Sequence, residues 1–219
     1  HALAPLVAAL KDPEPGVRAL AAFALGQLGM PAALEPLFAT LKDFSPDVRS
    51  FVALSLGKFG SERAVMPLIQ LLKDPSEDVR SQAAFSLGKV RDARAVLPLV
   101  ETLKDPNQQV RGYAAAALGE IGDAQGVAAL VEALHDPAES VADLAASALV
   151  KIGRPAARHL IVASRSPNEA VSQRAKDALR KIMGDTVERV TGELINLDPS
   201  KPLTGQLPRL EEALRRVTG

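Results

Sequence analysis

The residues of this chain with the clearest potential for chemistry are Asp–Arg pairs whose members are six positions apart. A carboxylate and a guanidinium at a fixed spacing can polarise a substrate, or they can join two parts of a fold through charge-assisted hydrogen bonds. The pair occurs at Asp12 and Arg18, Asp43 and Arg49, Asp74 and Arg80, and Asp105 and Arg111. Because the pair recurs, the pattern around it has to be explained before any single site.

No other arrangement typical of catalysis, metal binding or cofactor binding is visible. The chain has no Cys, which removes disulfides, thiolate metal sites and Cys nucleophiles together. His1, His135 and His159 are scattered, and there is no Gly-rich phosphate loop, nucleophile elbow or zinc-ligand spacing. We therefore expect no catalytic residue, no metal and no cofactor.

Charge and hydropathy restrict the partners further. Lys plus Arg and Asp plus Glu are 26 each, so net charge indicates no general affinity for nucleic acid or membranes. No apolar run approaches the roughly 20 residues of a membrane span, and no signal peptide is visible. A cytoplasmic location is favoured, although the chain opens in mid-pattern at His1 and looks like a fragment.

A regular period organises most of the chain. The same frame returns with a Val after 31 residues, and after 30 at the last step: Val17, Val48, Val79, Val110, Val141 and Val171. Self-similarity at a period of this length is the signature of a stacked repeat protein. We therefore expect a solenoid without a single central core.

Each period contains a second helix that is easier to place than the first. The position three before the Val holds a preferred N-cap residue in four units: Ser45, Ser76, Asn107 and Asn168. With the Val as position 0, positions 4, 8 and 11 are apolar, as in Ala83, Leu87 and Val90. This spacing predicts one buried helical stripe.

Glycines inside and after the second helix carry separate information. Gly inside a helix costs about 1 kcal/mol relative to Ala, so close approach of a neighbouring helix is expected at Gly26, Gly57, Gly88 and Gly119. In the last two units Val150 and Arg180 replace this Gly. Glycines that suit a left-handed helix C-cap follow at Gly29, Gly60, Gly122 and Gly153.

The first helix of each unit is the less regular one. It carries a Pro near its start, at Pro5, Pro36, Pro67 and Pro98. A Pro after the first turn removes a backbone hydrogen bond and clashes with the preceding turn. We expect this helix to be short, bent or opened by a 3₁₀ turn.

The frame AxxPLxxxLKDPxxxVRxxAAxALGxxG resembles the HEAT-like repeats of the phycobilin lyase type over residues 1 to about 183. The resemblance implies an all-α fold, a right-handed α-solenoid with first helices on the convex face and second helices on the concave face. The expected units are about 1–29, 30–60, 61–91, 92–122, 123–153 and 154–183. A divergent C-terminal capping pair is expected at 184–219.

The resemblance also implies a role for the Asp–Arg pairs. In HEAT repeats such pairs build a ladder of side-chain hydrogen bonds that ties successive inter-helix turns together. The ladder is expected to fail where Asp136 is followed by Ala142 and Ser166 by Ser172. Units five and six are therefore expected to stack differently from units one to four.

The second helices also predict a partner-binding surface. If positions 0, 4, 8 and 11 are buried, positions 3, 6 and 10 lie on the opposite side, which the resemblance places in the concave groove. Apolar residues on a surface that packing does not require are typical of an interaction site. The alternative is that adjacent second helices bury these rings between themselves. The predicted partner-binding residues are Leu20, Phe23, Phe51, Leu54, Gln82, Phe85, Tyr113 and Leu144.

Charge is segregated in the C-terminal half. Residues 112–150 contain six acids and no Lys or Arg, whereas residues 151–183 contain eight bases and two acids. Such a block could bind phosphate or nucleic acid, or it could be a solvated face with internal ion pairs, which is the favoured interpretation. The basic patch comprises Lys151, Arg154, Arg158, Arg174, Arg180 and Lys181.

Three functions fit these patterns. The leading hypothesis is a non-catalytic scaffold that binds a segment of another protein in the concave groove. The runner-up, from the resemblance, is a subunit similar to a bilin lyase or isomerase that holds a phycobiliprotein and its tetrapyrrole. Nucleic-acid binding rests on the basic patch alone. Self-association through the uncapped N-terminal end is a further expectation.

Overall fold

The computed structural model describes residues 2–184, which form six consecutive helix pairs and no strand. The predicted all-α solenoid is confirmed. The expected capping pair at 184–219 lies outside the described residues, apart from Gly184. The first helices of the pairs are α1 (Leu3–Ala9), α3 (Leu34–Thr40), α5 (Val65–Leu71), α7 (Val96–Thr102), α9 (Val127–Glu132) and α11 (Ala157–Ala163). The second helices are α2 (Pro15–Leu28), α4 (Pro46–Phe59), α6 (Glu77–Val90), α8 (Gln108–Ile121), α10 (Glu139–Ile152) and α12 (Glu169–Met183).

The first helices are short and, from α3 to α11, each follows a 3₁₀ turn, which confirms that prediction. Pro36, Pro67 and Pro98 are the third residues of α3, α5 and α7. The N–H of a third helical residue has no acceptor within the helix, so Pro at this position removes no hydrogen bond. The 3₁₀ turn thus lets each Pro occupy the first turn of its α-helix.

The second helices begin at the predicted N-caps, but the caps differ in mechanism. The Asn107 side chain accepts hydrogen bonds from the N–H groups of the second and third following residues, at 2.8 and 3.3 Å. Ser45 makes no such bond with its hydroxyl. Its own N–H donates to the Asp43 carboxylate at 2.9 Å, and Ser76 does the same to Asp74 at 2.9 Å. The repeated Asp therefore shapes the turn before the second helix.

The core follows positions 4 and 8 of the second helices. Position 11 is less buried than predicted, because Leu28 is 45% exposed and Val90 lies only partly within the core. Val17 is 40% exposed, since no other described helix pair packs on that side of α2. Self-association through this N-terminal end of the stack stays a prediction. The Leu residues at position 8 are fully or almost fully buried in every pair: Leu25, Leu56, Leu87, Leu118, Leu149 and Leu179.

The Gly inside each of the first four second helices faces the next second helix at very short range, as predicted. A Cβ atom at Gly26 would lie 2.8 Å from Ser55 Cα, and one at Gly119 would lie 2.7 Å from Ala148 Cα. Real Cβ atoms do not approach a backbone atom this closely. Neighbouring second helices thus pack backbone against backbone, and Gly is required at the contact.

The last junction differs from the others. α12 packs against α10 much less closely than α10 packs against α8. The predicted change of stacking is therefore correct for unit six and wrong for unit five. Unit five keeps the close contact because Gly119 of α8 still faces Ala148.

The predicted left-handed C-cap holds at three glycines and fails at the fourth. Gly29, Gly60 and Gly122 have φ of 61°, 59° and 77° with small positive ψ. Gly153 has φ 78° but ψ −137°, outside the left-handed helical region. Its N–H still donates to the Leu149 carbonyl at 3.0 Å, and its own carbonyl accepts from the N–H of Ala156 at 2.9 Å, at the opening of the next 3₁₀ turn.

The two helix layers are packed at different separations. Second helices contact one another extensively from α2 to α10, whereas the first helices of neighbouring pairs meet at few points. A stack in which one layer is closer together bends toward that layer. We infer that the second helices lie on the concave side.

Candidate functional site

A row of aromatic side chains crosses the surface of the second helices. We call the surface formed by Phe23, Phe51, Phe85 and Tyr113 the ring face. Phe51, Phe85 and Tyr113 are 36%, 36% and 37% exposed, and Phe23 is half-buried. The rings are thus neither enclosed in the core nor free of contacts.

The rings pack in pairs across neighbouring second helices. Phe23 on α2 and Phe51 on α4 meet edge to face, with centroids 6.0 Å apart and planes at 78°. Phe85 on α6 and Tyr113 on α8 repeat this geometry at 5.9 Å and 76°. Such pairs contribute about 0.5–1.5 kcal/mol beyond their burial. The rings therefore pack against each other between adjacent second helices, as the alternative to a partner-binding surface expects. More than a third of the surface of Phe51, Phe85 and Tyr113 nevertheless stays exposed to solvent.

Lysines flank the ring face at the C-terminal ends of α4 and α6. Lys58 Nζ lies 5.1 Å from the centroid of the Phe23 ring, and Lys89 Nζ lies 5.2 Å from that of Phe85. Both distances are within the range of a cation–π interaction. These ammonium groups hold the rings from one side and place positive charge along that edge.

The other predicted binding residues extend the ring face unevenly. Leu20 is 65% exposed and Leu144 is 40% exposed, so apolar surface continues in both directions along the stack. Leu54 is half-buried. Gln82 is also half-buried, and its amide donates to Ser86 Oγ at 3.4 Å. The junction between α4 and α6 thus has no ring pair, unlike those on either side.

At this junction lies a depression of about 250 Å³ that we call the Asp47–Asp78 depression. Its two carboxylates are not among the binding residues predicted from the sequence. Asp47 and Asp78 occur four residues before Phe51 and Gln82, and residues four apart share a helix face, so this spacing was the available signal. The lining residues are Asp47, Ser50, Phe51, Asp78, Ser81, Gln82, Gln109 and Tyr113.

A second depression, of about 440 Å³, continues along the same surface. It lies between α8 and α10 and shares Gln109 and Tyr113 with the first. Gly112 and Leu144 supply its apolar part. The ring face is therefore part of a longer channelled surface on the second helices.

The Asp–Arg ladder is a structural device between units. Arg18 donates from Nη1 to the carbonyl oxygen of Asp12 at 2.9 Å, and from Nε and Nη2 to the Asp43 carboxylate at 2.7 and 2.8 Å. The guanidinium thus binds its own turn and the next turn at once. The same arrangement joins Arg49 to Asp74, Arg80 to Asp105 and Arg111 to Asp136.

The ladder ends where Ala142 replaces Arg, as predicted, but Asp136 still takes part in it. Asp136 accepts two hydrogen bonds from Arg111, so it is the last acceptor of the ladder although Ala142 supplies no further Arg. In the final pair the Ser172 hydroxyl donates to the Ser164 carbonyl at 2.6 Å instead. The ladder ends after Asp136.

The ladder also changes the acidity of its carboxyl groups. Hydrogen bonds from Arg18 hold the pKa of Asp43 below its ordinary value, and those from Arg111 do the same to the pKa of Asp136. Partial burial opposes this effect without overcoming it. Each charged carboxylate is therefore stabilised by the fold.

Much of the basic patch is paired with acids of the neighbouring helix pair. Arg174 Nε lies 2.7 Å from Asp143 Oδ1, and Lys151 Nζ lies 2.5 Å from Glu120 Oε1. Lys151 and Arg91 together lower the pKa of Glu120 to about 2. Arg180 pairs with Asp177 on its own helix at 3.1 Å. These contacts support the interpretation of a solvated face with internal ion pairs; Arg154, Arg158 and Lys181 are exposed beside them.

Two further properties concern the described part of the chain. Within residues 2–184, no group of three or more His, Cys, Asp or Glu side chains is arranged to hold a metal ion. No helix in that range combines the length and apolar character that crossing a membrane requires.

Helix pairs stacked in this way define an α-solenoid, the class of repeat protein in which each unit contacts its neighbours. The sequence model for HEAT repeats matches residues 3–88, 34–105, 65–149 and 96–195. The chain belongs to the HEAT repeat family. The predicted resemblance to HEAT-like repeats is thereby confirmed.

Several solved structures share this fold. The complex of CpcE and CpcF of phycocyanin lyase from Nostoc sp. PCC7120 is 23% identical with a TM-score of 0.62, over 97% of this chain and 93% of that chain. An engineered protein is 24% identical with a TM-score of 0.59, over 83% of this chain and 98% of that chain. A designed armadillo repeat protein in complex with the peptide (KR)4 is 23% identical with a TM-score of 0.57, over 83% of this chain and 100% of that chain. A search of curated proteins finds no sequence match.

Proposed function

We propose that this chain is a non-catalytic scaffold that binds a segment of another protein on the ring face. The observation that carries the proposal is the partial exposure of Phe51, Phe85 and Tyr113, at 36–37%, on adjacent second helices. Exposed aromatic groups that are already held in place lose little conformational freedom on binding. They are the residue type that most often anchors protein interfaces.

The charges around the ring face support the same function. Lys58 and Lys89 lie at the C-terminal ends of α4 and α6, and Asp47 and Asp78 lie in the first turns of the same helices. The apolar strip therefore has a basic edge and an acidic edge. Protein interfaces commonly combine an apolar centre with a polar rim.

The similar structures are consistent with a binding role. The designed armadillo repeat protein with this fold was solved with the peptide (KR)4, and CpcE and CpcF form a complex with one another. For this chain we propose a continuous protein segment as the occupant, because the depressions on either side of Tyr113 follow one another along the stack.

The test is selection of peptides from a random phage-displayed library on the wild-type protein, followed by binding measurements with a variant carrying Phe51→Ser, Phe85→Ser and Tyr113→Ser. The control carries Met66→Ser and Leu97→Ser, which alter first-helix residues that are 52% and 62% exposed. We expect the ring-face variant to lose binding and the control to keep it. Equal binding by both variants would show that the ring face is not the site, and a melting curve of each variant separates lost binding from lost folding.

The runner-up from the sequence is handling of a bilin and its phycobiliprotein. It predicts a different observable, because a bilin bound to the protein changes its absorption spectrum. Mixing free bilin with the chain and finding a shifted spectrum, abolished by the ring-face variant, would favour that function over a peptide scaffold. The scaffold proposal expects an unchanged spectrum.

A further inference from the structure

The Asp47–Asp78 depression contains two carboxylates that the fold does not use. Neither side chain forms a hydrogen bond or ion pair with another residue in the described range 2–184. The carboxylates of the ladder, such as Asp43 and Asp74, are each bound by an Arg. Asp47 and Asp78 are equivalent positions of successive units, so they face the same depression from neighbouring helices.

A third group in the depression lacks a partner. Ser81 is 4% exposed and lines the depression, and its Oγ is the sole buried side-chain N or O atom without a hydrogen bond among the described residues. Other buried Ser hydroxyl groups on the second helices have partners: Ser55 Oγ donates to the Ala22 carbonyl at 2.8 Å. Helix formation explains an acid in a first turn, but it does not explain an unsatisfied buried hydroxyl beside two such acids.

The sign of the local charge indicates what would bind. The N-termini of α4 and α6 carry a partial charge of roughly +0.5 each, which the two ionised carboxylates of Asp47 and Asp78 outweigh. No Lys or Arg lines the depression. Phe51 and Tyr113 border it, and aromatic faces attract cations. The depression therefore suits a positively charged group.

We propose that the Asp47–Asp78 depression receives a Lys or Arg side chain of the bound protein segment. This inference rests on the proposed function, because the segment must lie across the ring face for its side chain to enter. The ammonium or guanidinium donates to the two carboxylates, and the buried Ser81 hydroxyl reaches it after a change of side-chain rotamer. Its aliphatic stem lies against Phe51 and Tyr113, as long basic side chains commonly bury their stems on apolar surface.

The experiment uses the peptides selected on the wild-type chain. One peptide is synthesised with each Lys or Arg replaced in turn by Met, and binding is measured by fluorescence anisotropy. The test variant carries Asp47→Asn and Asp78→Asn. The control carries Glu101→Gln and Glu132→Gln, which removes the same net charge from exposed positions on the first helices α7 and α9.

We expect one Lys or Arg of the peptide to dominate, with its replacement by Met weakening binding about tenfold or more, as for a charge-assisted hydrogen bond. The Asp variant should bind the parent peptide as weakly as the Met peptide and no longer distinguish the two, whereas the control should keep the difference. If the selected peptides carry no basic residue, or if the Asp variant still distinguishes the two peptides, the cation site is wrong. In either case loss of binding in the ring-face variant would leave the proposed function standing. If no peptide is selected at all, the proposed function fails and the cation site fails with it.

Discussion

Arg111 donates two hydrogen bonds to the carboxylate of Asp136, at 2.7 Å to Oδ2 and 2.8 Å to Oδ1, although 25 positions and one helix-pair boundary separate them. The same guanidinium donates to the carbonyl oxygen of Asp105 at 2.9 Å. One side chain thus holds two successive turns at a fixed separation. The ladder is therefore a set of joints between units, and each joint can be removed separately.

Replacing Arg80 by Met should destabilise the fold by about 2–4 kcal/mol, because it leaves the Asp105 carboxylate, which is 9% exposed, without its partner. The matched control is Arg63→Met. Arg63 pairs with Glu35, but their side chains are 62% and 69% exposed, so that change should cost less than about 1 kcal/mol. Urea unfolding followed by circular dichroism measures both. Equal losses would show that the ladder pair behaves as a surface ion pair.

Stability should fall as the pH is lowered below about 4. The pKa values of Asp43 and Asp136 are lower in the folded protein than their ordinary value, because Arg18 and Arg111 bind the carboxylates. A carboxyl group of this kind stabilises the fold above its unfolded pKa, near 4, and that contribution is lost as the pH falls through the folded pKa. The check is the urea midpoint between pH 7 and pH 2. The slope should be shallower with Arg18→Met and Arg111→Met, and an unchanged slope would contradict the assignment.

Gly57→Ala should destabilise the chain although Ala is the better helix former. The new Cβ would lie 2.6 Å from Ser86 Cβ and 2.9 Å from Ser86 Cα, so α4 and α6 must move apart. Overpacking of this kind costs about 1–3 kcal/mol. Gly16→Ala, with nothing within 4 Å of its Cβ, should instead be neutral or gain up to about 1 kcal/mol. Thermal melts of the two variants should therefore shift in opposite directions, or only the Gly57 melt should fall.

Ser81→Ala should raise the stability of the free protein by about 1 kcal/mol, since it removes a buried hydroxyl that has no partner. It should also weaken binding of a peptide whose basic side chain occupies the depression. Ser55→Ala is the control with the opposite sign, because it removes the hydrogen bond to the Ala22 carbonyl. A stability loss at Ser81 comparable with that at Ser55 would indicate a bond that the hydroxyl makes within the fold.

The ring pairs should show an energetic coupling. A double-mutant cycle with Phe85→Leu and Tyr113→Leu should give about 0.5–1.5 kcal/mol, as expected for rings in edge-to-face contact. Phe51 and Phe85 form no ring pair with each other and belong to different ring pairs. The cycle that combines them should be close to additive. Coupling of similar size in both cycles would mean that the ring face responds as one unit.

The repeat period predicts those features that recur in every unit. The start of each second helix, the buried Leu at position 8 and the requirement for Gly57 depend on contacts that neighbouring units repeat. A correct prediction of the structure of one unit therefore predicts most of the other units. The 3₁₀ turns before α3, α5 and α7 were also foreseeable, because each of these helices carries a Pro, which is tolerated only within the first turn of a helix. Those before α9 and α11 were not, because these two helices contain no Pro.

Features that depend on two different units were harder to predict. Asp136 looks isolated within its own unit, where Ala142 replaces Arg, but its partner Arg111 belongs to the unit before. In the sequence Asp47 and Asp78 look like ordinary first-turn acids, and only the folded structure shows that no described residue pairs with them. The partial exposure of Phe51 depends on the angle at which Phe23 meets it, which no residue pattern specifies.

The looser contact of α12 with α10 makes the junction between the fifth and sixth helix pairs the weakest one between second helices in the described stack. In a one-dimensional array, units separate where the coupling between neighbours is weakest, and the tight contacts from α2 to α10 exclude early separation there. Amide hydrogens of α12 should therefore exchange with solvent before those of α6. Opening would start at the carboxyl-terminal side of the described stack and leave the paired rings intact.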